Sequence, residues 1–144
     1  MNSIRIDPAA FDTNIFVYGV RGTPSRPACS KILFERISEF RLYVPKEIIT
    51  ELHRNLRPSE LRTIYDALDQ AKEVTFDYEA PPADLVAHYR TLGVKKGDAV
   101  IAAHLHSSGI RWLISENRHF LREIPDLPFT VLSAEEAVAE LAAA

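Results

Sequence analysis

The chain has 144 residues, 47% hydrophobic and 26% charged, with a mean hydropathy of −0.09, which suits one apolar core and excludes a disordered chain. Its formal net charge of −3 excludes a broad cationic surface of the kind that binds duplex DNA, so any nucleic-acid contact must be local. Because Cys29 is the only cysteine, an internal disulfide and a cysteine-based zinc site are also excluded.

Two further features predict a cytoplasmic protein with no membrane partner. No stretch approaches the roughly 20 consecutive apolar residues that a membrane-spanning helix requires. At the N-terminus, Asp7 and Pro8 interrupt any secretory-signal pattern. The sequence contains no internal repeat and no glycine- or serine-rich linker, so it predicts one continuous domain over residues 1–144.

Short β-type runs alternate with helical patterns along the chain. The predicted strands are residues 9–13, 41–44, 74–78, 111–115 and 129–132. Apolar residues at three- and four-residue spacing predict helices between them, for example around residues 32–37 and 61–68. Alternating strands and helices imply right-handed crossovers, so we expect an α/β fold: a three-layer α/β/α sandwich with a mainly parallel sheet. In such folds the usable cleft lies beyond the carboxyl ends of the strands.

Three local signals predict where helices begin and end. Pro45 suits the first turn of a helix after the second strand, because a missing N–H costs nothing there. Gly93 suits the left-handed conformation that often ends a helix. Ser133 and Glu136 form a capping-box pattern at the start of the C-terminal helix.

The first candidate site residue is Asp12, where the first strand ends and an apolar helix begins. Asp12 and the nearby Asn14 would both face the cleft as oxygen ligands, which suit a hard cation such as Mg²⁺. The alternative is that one of these side chains only caps the following helix. This segment by itself does not decide between the two roles.

The second candidate is Glu51, which lies on a predicted helix beside the apolar stripe of Ile48, Leu52 and Leu56. Its carboxylate can therefore border the buried face of that helix. A single Glu in such a position is usually solvated or paired, and Arg54 offers a partner. Glu51 is a candidate only in combination with other acids.

The third candidate is Asp98, which follows Gly97 and opens an apolar helix of small residues. The helix dipole favours an acidic residue in the first turn whether or not that residue binds a metal. Tight packing of residues 99–103 against the sheet would hold Asp98 at the edge of the sheet and out of bulk solvent. A fourth polar segment, Ser115 to Asn117, leaves the next strand, and its alternative role is to cap a short helix that follows.

The chain resembles a PIN domain over nearly its whole length. The resemblance rests on the order and placement of four segments: residues 11–15, the helix around Glu51, residues 97–103 and residues 113–120. PIN domains, which include the VapC-type toxins of bacteria and archaea, are Mg²⁺- or Mn²⁺-dependent ribonucleases with an α/β/α fold. The resemblance therefore implies a metal-dependent endoribonuclease whose substrate is RNA.

Carried over by position, the resemblance assigns Asp12, Glu51 and Asp98 to the three acids that hold the metal. Asn117 takes the place where many members have a fourth acid, and it completes the implied catalytic set. Because an amide lacks the charge of that acid, a second ion would bind more weakly or through Glu116 and water. The resemblance gives supporting roles around these ligands to Asn14, Ser115 and Glu116, with Ser115 as a water-positioning hydroxyl.

The resemblance also implies partners. RNA would be positioned by basic residues that flank the acidic segments, namely Arg21, Lys95, Lys96 and Arg118, although such residues are more often solvated surface. A small antitoxin masks toxins of this type, and homodimers are common among PIN domains, so both partners stay open.

Two rival functions stay open as well. One is a phosphotransferase with an aspartyl nucleophile, but that chemistry usually has an Asp-x-Asp pattern, and Asn14 stands at the second position here. The other is a non-catalytic PIN-like domain that binds RNA or serves as a scaffold. The three acids that remain favour catalysis over the second rival.

Overall fold

The computed structural model describes residues 3–117 and 121–143, and at its centre is a five-stranded parallel sheet with the order β3-β2-β1-β4-β5. The strands are β1 (Ala9–Phe11), β2 (Arg41–Pro45), β3 (Glu73–Asp77), β4 (Trp112–Ile114) and β5 (Thr130–Leu132). All five predicted strands are confirmed. The first ends two residues earlier than expected, because Thr13 already begins the next helix.

Helices connect the strands. They are α1 (Thr13–Arg21), α2 (Pro27–Lys31), α3 (Lys46–Asn55), α4 (Pro58–Leu68), α5 (Ala83–Thr91), α6 (Lys96–Ser107) and α7 (Ala134–Ala143). After α2 the chain continues as a π-helical turn (Ile32–Arg36) and a 3₁₀ turn (Ile37–Glu39), where the sequence predicts a helix. Within the described ranges, every helix is too short or too polar to cross a membrane.

The connections place helices on both faces of the sheet. The chain steps from β1 to β2 to β3 in one direction and then crosses back to β4. Because parallel crossovers are right-handed, this reversal puts α1 to α4 on one face and α5 and α6 on the other. Helix α7 packs against α2 on the first face. The predicted three-layer α/β/α sandwich is confirmed.

The core lies on both faces of the sheet. On one face the rings of Phe11, Phe16 and Phe40 are fully buried, with the Phe11 centroid 5.7 Å from that of Phe16 and 5.1 Å from that of Phe40. On the other face, α6 buries small side chains such as Ala99 and Ala102 completely. Small residues let a helix approach its neighbours closely, so the N-terminal end of α6 is held near the carboxyl edge of the sheet.

Two of the three predicted helix boundaries are confirmed. Gly93 follows α5 with a φ of 92°, a conformation that a side chain would strain. The Ser133 hydroxyl accepts from the Glu136 N–H at 3.1 Å, and the Glu136 carboxylate accepts from the Ser133 N–H at 2.9 Å. The prediction for Pro45 is wrong by one position. It is the extended last residue of β2 (φ −76°, ψ 157°), and α3 begins after it.

Candidate active site

Asp12 lies directly beyond the carboxyl end of β1 and is only 8% exposed. Its backbone N–H donates to the Ile114 carbonyl on β4, which ties Asp12 to the edge of the sheet. Its Oδ1 atom accepts from the Thr13 N–H at 2.8 Å and so caps α1. Asp12 therefore does cap α1, but the cap uses only Oδ1, and Oδ2 is left for contacts across the cleft.

The second oxygen of Asp12 is bound by a buried polar network. The Ser115 hydroxyl donates to Asp12 Oδ2 at 2.7 Å, and the Asn14 amide lies 3.4 Å from both of these oxygens. The Asn14 carbonyl oxygen in turn accepts from the Glu116 N–H at 3.1 Å. Burial raises the pKa of Asp12, while the bonds from Ser115 and Thr13 oppose that rise. The network therefore joins the ends of β1 and β4 around one carboxylate.

Glu51 reaches the same edge of the sheet from α3. Its Oε1 atom accepts from the Thr13 hydroxyl at 2.5 Å, which makes Thr13 the link between the first two acids. Burial is the main reason why the pKa of Glu51 is raised, and the negative charges of Asp12 and Asp98 raise it further. The described partner of this carboxylate is thus the half-buried Thr13 hydroxyl and not Arg54.

Asp98 lies in the first turn of α6, as the sequence predicts. Burial raises its pKa, and the Asp12 charge adds to that effect, whereas the positive charge of Lys95 opposes it. The structure therefore brings Asp12, Glu51 and Asp98 within electrostatic range of one another, although they are widely separated in the chain. Lys95, immediately before α6, also belongs to this group.

The structure adds Glu47 to the three acids that the sequence predicts. A Cβ atom placed on Gly97 would lie 3.6 Å from Glu51 Oε2 and 3.9 Å from Glu47 Oε1, so both carboxylates point to the start of α6. The Glu47 charge also raises the pKa of Glu51. One signal was available in the sequence, because Glu47 precedes Glu51 by four residues and therefore lies on the same face of α3.

The donor chemistry of this edge fits a divalent cation. Carboxylate oxygens are the ligands that Mg²⁺ and Mn²⁺ prefer, and burial among like charges favours binding of a cation. Among residues 3–117 and 121–143, however, no group of three or more His, Cys, Asp or Glu side chains is arranged to hold a metal ion. Thr13 and Ser115 occupy oxygens of Glu51 and Asp12. The three acids therefore lie within electrostatic range of one another but are not arranged in advance around a metal position.

The two remaining polar residues of the fourth segment are placed differently. Asn117 is exposed, and its N–H donates to the Ser115 hydroxyl at 3.1 Å. The Glu116 carboxylate is directed away from Asp12. It accepts from the Ala134 N–H at 3.1 Å at the start of α7 and lies 3.4 Å from the Arg26 side chain. Glu116 therefore contributes its backbone to the site and its carboxylate to the packing of α7.

The basic residues predicted to bind RNA are not all near the acids. Arg21 lies at the far end of α1 from Asp12, where it donates to Glu60 at 3.0 Å and to the Asn55 carbonyl at 3.3 Å. Lys96 is the exposed first residue of α6. Arg118 lies outside the described residues. The structure thus brings Lys95 and Lys96 to the acidic edge, and it gives Arg21 a structural ion pair instead.

Comparisons with known proteins agree with this architecture. The family model described as PIN domain matches residues 9–126, so this chain belongs to the PIN domain family. PIN domains are generally nucleases and typically use divalent metals. No curated protein matches the sequence.

Two solved structures share the fold. One is VapBC2 from Rickettsia felis bound to a DNA fragment from their promoter, with a TM-score of 0.64, 17% identity, and coverage of 88% of this chain and 98% of that one. The other is PAE2754 from Pyrobaculum aerophilum, with a TM-score of 0.57, 18% identity, and coverage of 96% of this chain and 98% of that one. At these identities the likeness concerns the fold.

Proposed function

We propose that this chain is a divalent-metal-dependent endoribonuclease that hydrolyses RNA phosphodiester bonds. The observation that carries the proposal is the meeting of Asp12, Glu51 and Asp98 at the carboxyl edge of a PIN-domain sheet. Burial raises the pKa of each acid, and the negative charge of Asp12 raises the pKa of Glu51 and Asp98 further. Clustered carboxylates in a protein interior are costly unless a cation compensates their charge. A function that uses a cation accounts for that cost.

Asp12, Glu51 and Asp98 would hold the ion, which we take to be Mg²⁺ or Mn²⁺. When bound, such an ion lowers the pKa of water and neutralises charge on phosphate oxygens. The protein's own groups orient the ligands: the Ser115 hydroxyl holds Asp12, and the Thr13 hydroxyl holds Glu51. A hydrogen-bonded ligand loses less freedom on binding, so these bonds favour a defined geometry.

Two other groups complete the proposed site. Lys95 and Lys96 lie at the start of α6 next to Asp98, where their positive charges can bind the phosphates that flank the cleaved bond. Asn117 would contribute an oxygen ligand without a charge. Because the Glu116 carboxylate has partners at α7, we do not assign it to a second ion. One strongly bound ion is therefore expected.

The test is cleavage of a labelled single-stranded RNA with Mn²⁺, comparing wild type with Asp12→Asn, and with Asp66→Asn as the matched control. Asp66 is an exposed acid on α4, so its variant should cleave like wild type. We expect Asp12→Asn to lose cleavage, because it replaces one of the three carboxylates that would hold the ion by a neutral amide. Equal cleavage by wild type and Asp12→Asn would indicate a contaminating nuclease or another site.

A second candidate function is that of a non-catalytic PIN-like domain that binds RNA or serves as a scaffold. It is favoured by one observation, the lack of a preformed three-ligand arrangement among the described residues. Thermal unfolding with Mn²⁺ separates the two functions. An ion-binding site should raise the Tm in Mn²⁺, whereas a scaffold with no ion site should unfold at the same temperature with and without it.

We also propose that a small antitoxin-type protein is a partner of this chain. The support is the shared fold with VapBC2 from Rickettsia felis. Expression in bacteria tests this proposal: the wild-type chain should arrest growth, and Asp12→Asn should not. Co-expression of a short open reading frame adjacent to the gene should restore growth. Size-exclusion chromatography with light scattering would show whether the chain alone forms a homodimer.

A further inference from the structure

Four aromatic rings form a continuous row on the surface, which we call the aromatic row. It consists of His53 on α3, Tyr65 on α4, Phe76 on β3 and Tyr78 just after β3. Successive ring centroids are 6.0, 6.1 and 6.4 Å apart, and the last two rings are stacked with 22° between their planes. The His53 ring nitrogen and the Tyr65 hydroxyl are hydrogen bonded at 3.0 Å, which fixes the first pair.

The row is open to solvent along an edge of the fold. Strand β3 is an edge strand that pairs only with β2, so the sheet continues on one side of it only. Tyr78 is 64% exposed, which makes it the most exposed of the large hydrophobic side chains in the described ranges, and His53 is exposed as well. Tyr65 and Phe76, the two middle rings of the row, are half-buried.

The row begins at the same edge of the sheet as the candidate active site. Tyr78 follows the carboxyl end of β3, Asp12 follows the carboxyl end of β1, and β2 lies between these strands. Neighbouring strands are about 4.8 Å apart, so the end of β3 lies roughly 10 Å from the end of β1. Lys46, the exposed first residue of α3, lies in the sequence directly after β2 and carries a positive charge at this edge.

We propose that the aromatic row is a stacking surface for the bases of single-stranded RNA that enters the candidate active site. Every base has a flat face that stacks on an aromatic ring, so a row of such rings binds a single strand with little sequence preference. His53, Tyr65 and Tyr78 also carry polar atoms that can bond to base edges. Arg62, exposed and one turn before Tyr65 on α4, can bind a phosphate of the same strand.

The position of the row and the charges near it favour RNA as the occupant. Flat rings offer a stacking face to every base, and the exposed Lys46 and Arg62 supply positive charge for the phosphates of a bound strand. The row is also continuous with an edge that the proposed function assigns to RNA cleavage. The inference rests on that proposed function for its choice of ligand, and the experiment below separates the two.

Binding is measured by fluorescence anisotropy of a short labelled single-stranded RNA, in EDTA so that cleavage cannot interfere. We compare Tyr78→Ala, Tyr78→Phe and the control Phe34→Ala, which removes a 49% exposed ring outside the row. Loss of one stacking contact should weaken binding about tenfold for Tyr78→Ala. Tyr78→Phe keeps the ring and should bind like wild type, as should Phe34→Ala.

A second readout needs no variant. An RNA with a single 2-aminopurine loses fluorescence when that base stacks on a ring, so binding of the wild-type chain should quench the probe at some positions along the strand. Wild-type affinity in Tyr78→Ala, or no quenching at any position, would overturn the stacking surface.

Cleavage assays keep the two proposals apart. If the row acts as proposed, Tyr78→Ala should raise KM and leave kcat unchanged, because stacking positions the RNA without taking part in the chemistry. Cleavage by wild type together with unchanged binding and KM in Tyr78→Ala would remove the stacking surface and leave the ribonuclease. Weaker RNA binding in Tyr78→Ala together with no cleavage by wild type would overturn the proposed ribonuclease activity and support the stacking surface.

Discussion

The hydrogen bond from Ser115 to Asp12 should contribute a measurable part of the folding stability. Ser115 is fully buried, Asp12 is 8% exposed, and the bond between them measures 2.7 Å. Ser115→Ala would leave a buried carboxylate with one partner fewer, and burial already raises the pKa of that carboxyl. An unsatisfied buried charge costs more than an unsatisfied neutral group, so the substitution should be clearly destabilising.

Hydrogen bonds to charged groups are worth about 1.5–3 kcal/mol, so we expect Ser115→Ala to lower the free energy of unfolding by about 2 kcal/mol at neutral pH. For a chain of this length, roughly 4 °C of Tm is lost per kcal/mol, which gives a decrease of about 8 °C. The bond stabilises the ionised form of Asp12. Its contribution is therefore present where Asp12 is ionised and is lost as the pH falls through the pKa of Asp12 in the folded protein.

Thermal unfolding in EDTA, followed by circular dichroism at several pH values, measures this loss. Ser59→Ala, an exposed serine on α4, is the matched control and should leave the Tm unchanged. In the Asp12→Asn background the cost of Ser115→Ala should shrink, because the charge that the hydroxyl binds is gone. An equal loss in both backgrounds, or a loss no larger than that of the control, would show that the Ser115 hydroxyl does not stabilise the Asp12 carboxylate.

Three further predictions concern other parts of the fold. Glu51→Gln should raise the Tm in EDTA, because it removes a half-buried negative charge that lies near other carboxylates. It should also reduce the stabilisation by Mn²⁺, which for wild type is about 2.7 kcal/mol at one hundred times Kd; a lower Tm in EDTA would contradict this. The Arg21 side chain and the Arg57 N–H lower the pKa of Glu60 to about 2. The ionised Glu60 carboxylate therefore contributes its full stabilisation above about pH 4.5, and this contribution is lost as the pH falls towards 2. Glu60→Gln should therefore be less stable at pH 7 and show a flatter urea-midpoint profile between pH 5 and 2, and parallel profiles would contradict the assignment. Ser133→Ala removes a helix cap and should cost about 1 kcal/mol by urea unfolding, whereas no change would show that the cap is dispensable.

Much of the fold could be predicted from local patterns. The five strands follow from short runs of β-type residues, and such runs are visible without any tertiary information. The cap at Ser133 and the left-handed residue at Gly93 are equally local, since each depends on a few neighbouring residues. The type of helix at Ile32–Arg36 was harder to predict, because periodicity alone does not distinguish an α-helix from a π-helical turn.

Side-chain partners depended on the tertiary structure. The Glu51 carboxylate had Arg54 as its obvious local partner, yet its described bond is to Thr13, which is distant in the chain and close in the fold. The Glu116 carboxylate binds the start of α7, and Arg21 pairs with Glu60, so neither side chain is directed at the acidic edge. Long charged side chains choose among many partners, and sequence spacing limits only those on the same helix.

Local sequence patterns are sufficient for the α/β class, the order of the strands and helices, and the three acids that end a strand or border a helix. These depend on periodicity, turn chemistry and residue type, which are all local properties. The packing of distant segments sets the rest: Asp12, Glu51 and Asp98 come within electrostatic range of one another, Glu47 joins them, and four rings line up from α3 across α4 to β3. These contacts join segments that are far apart in the chain, and their geometry is set by how the helices pack on the sheet.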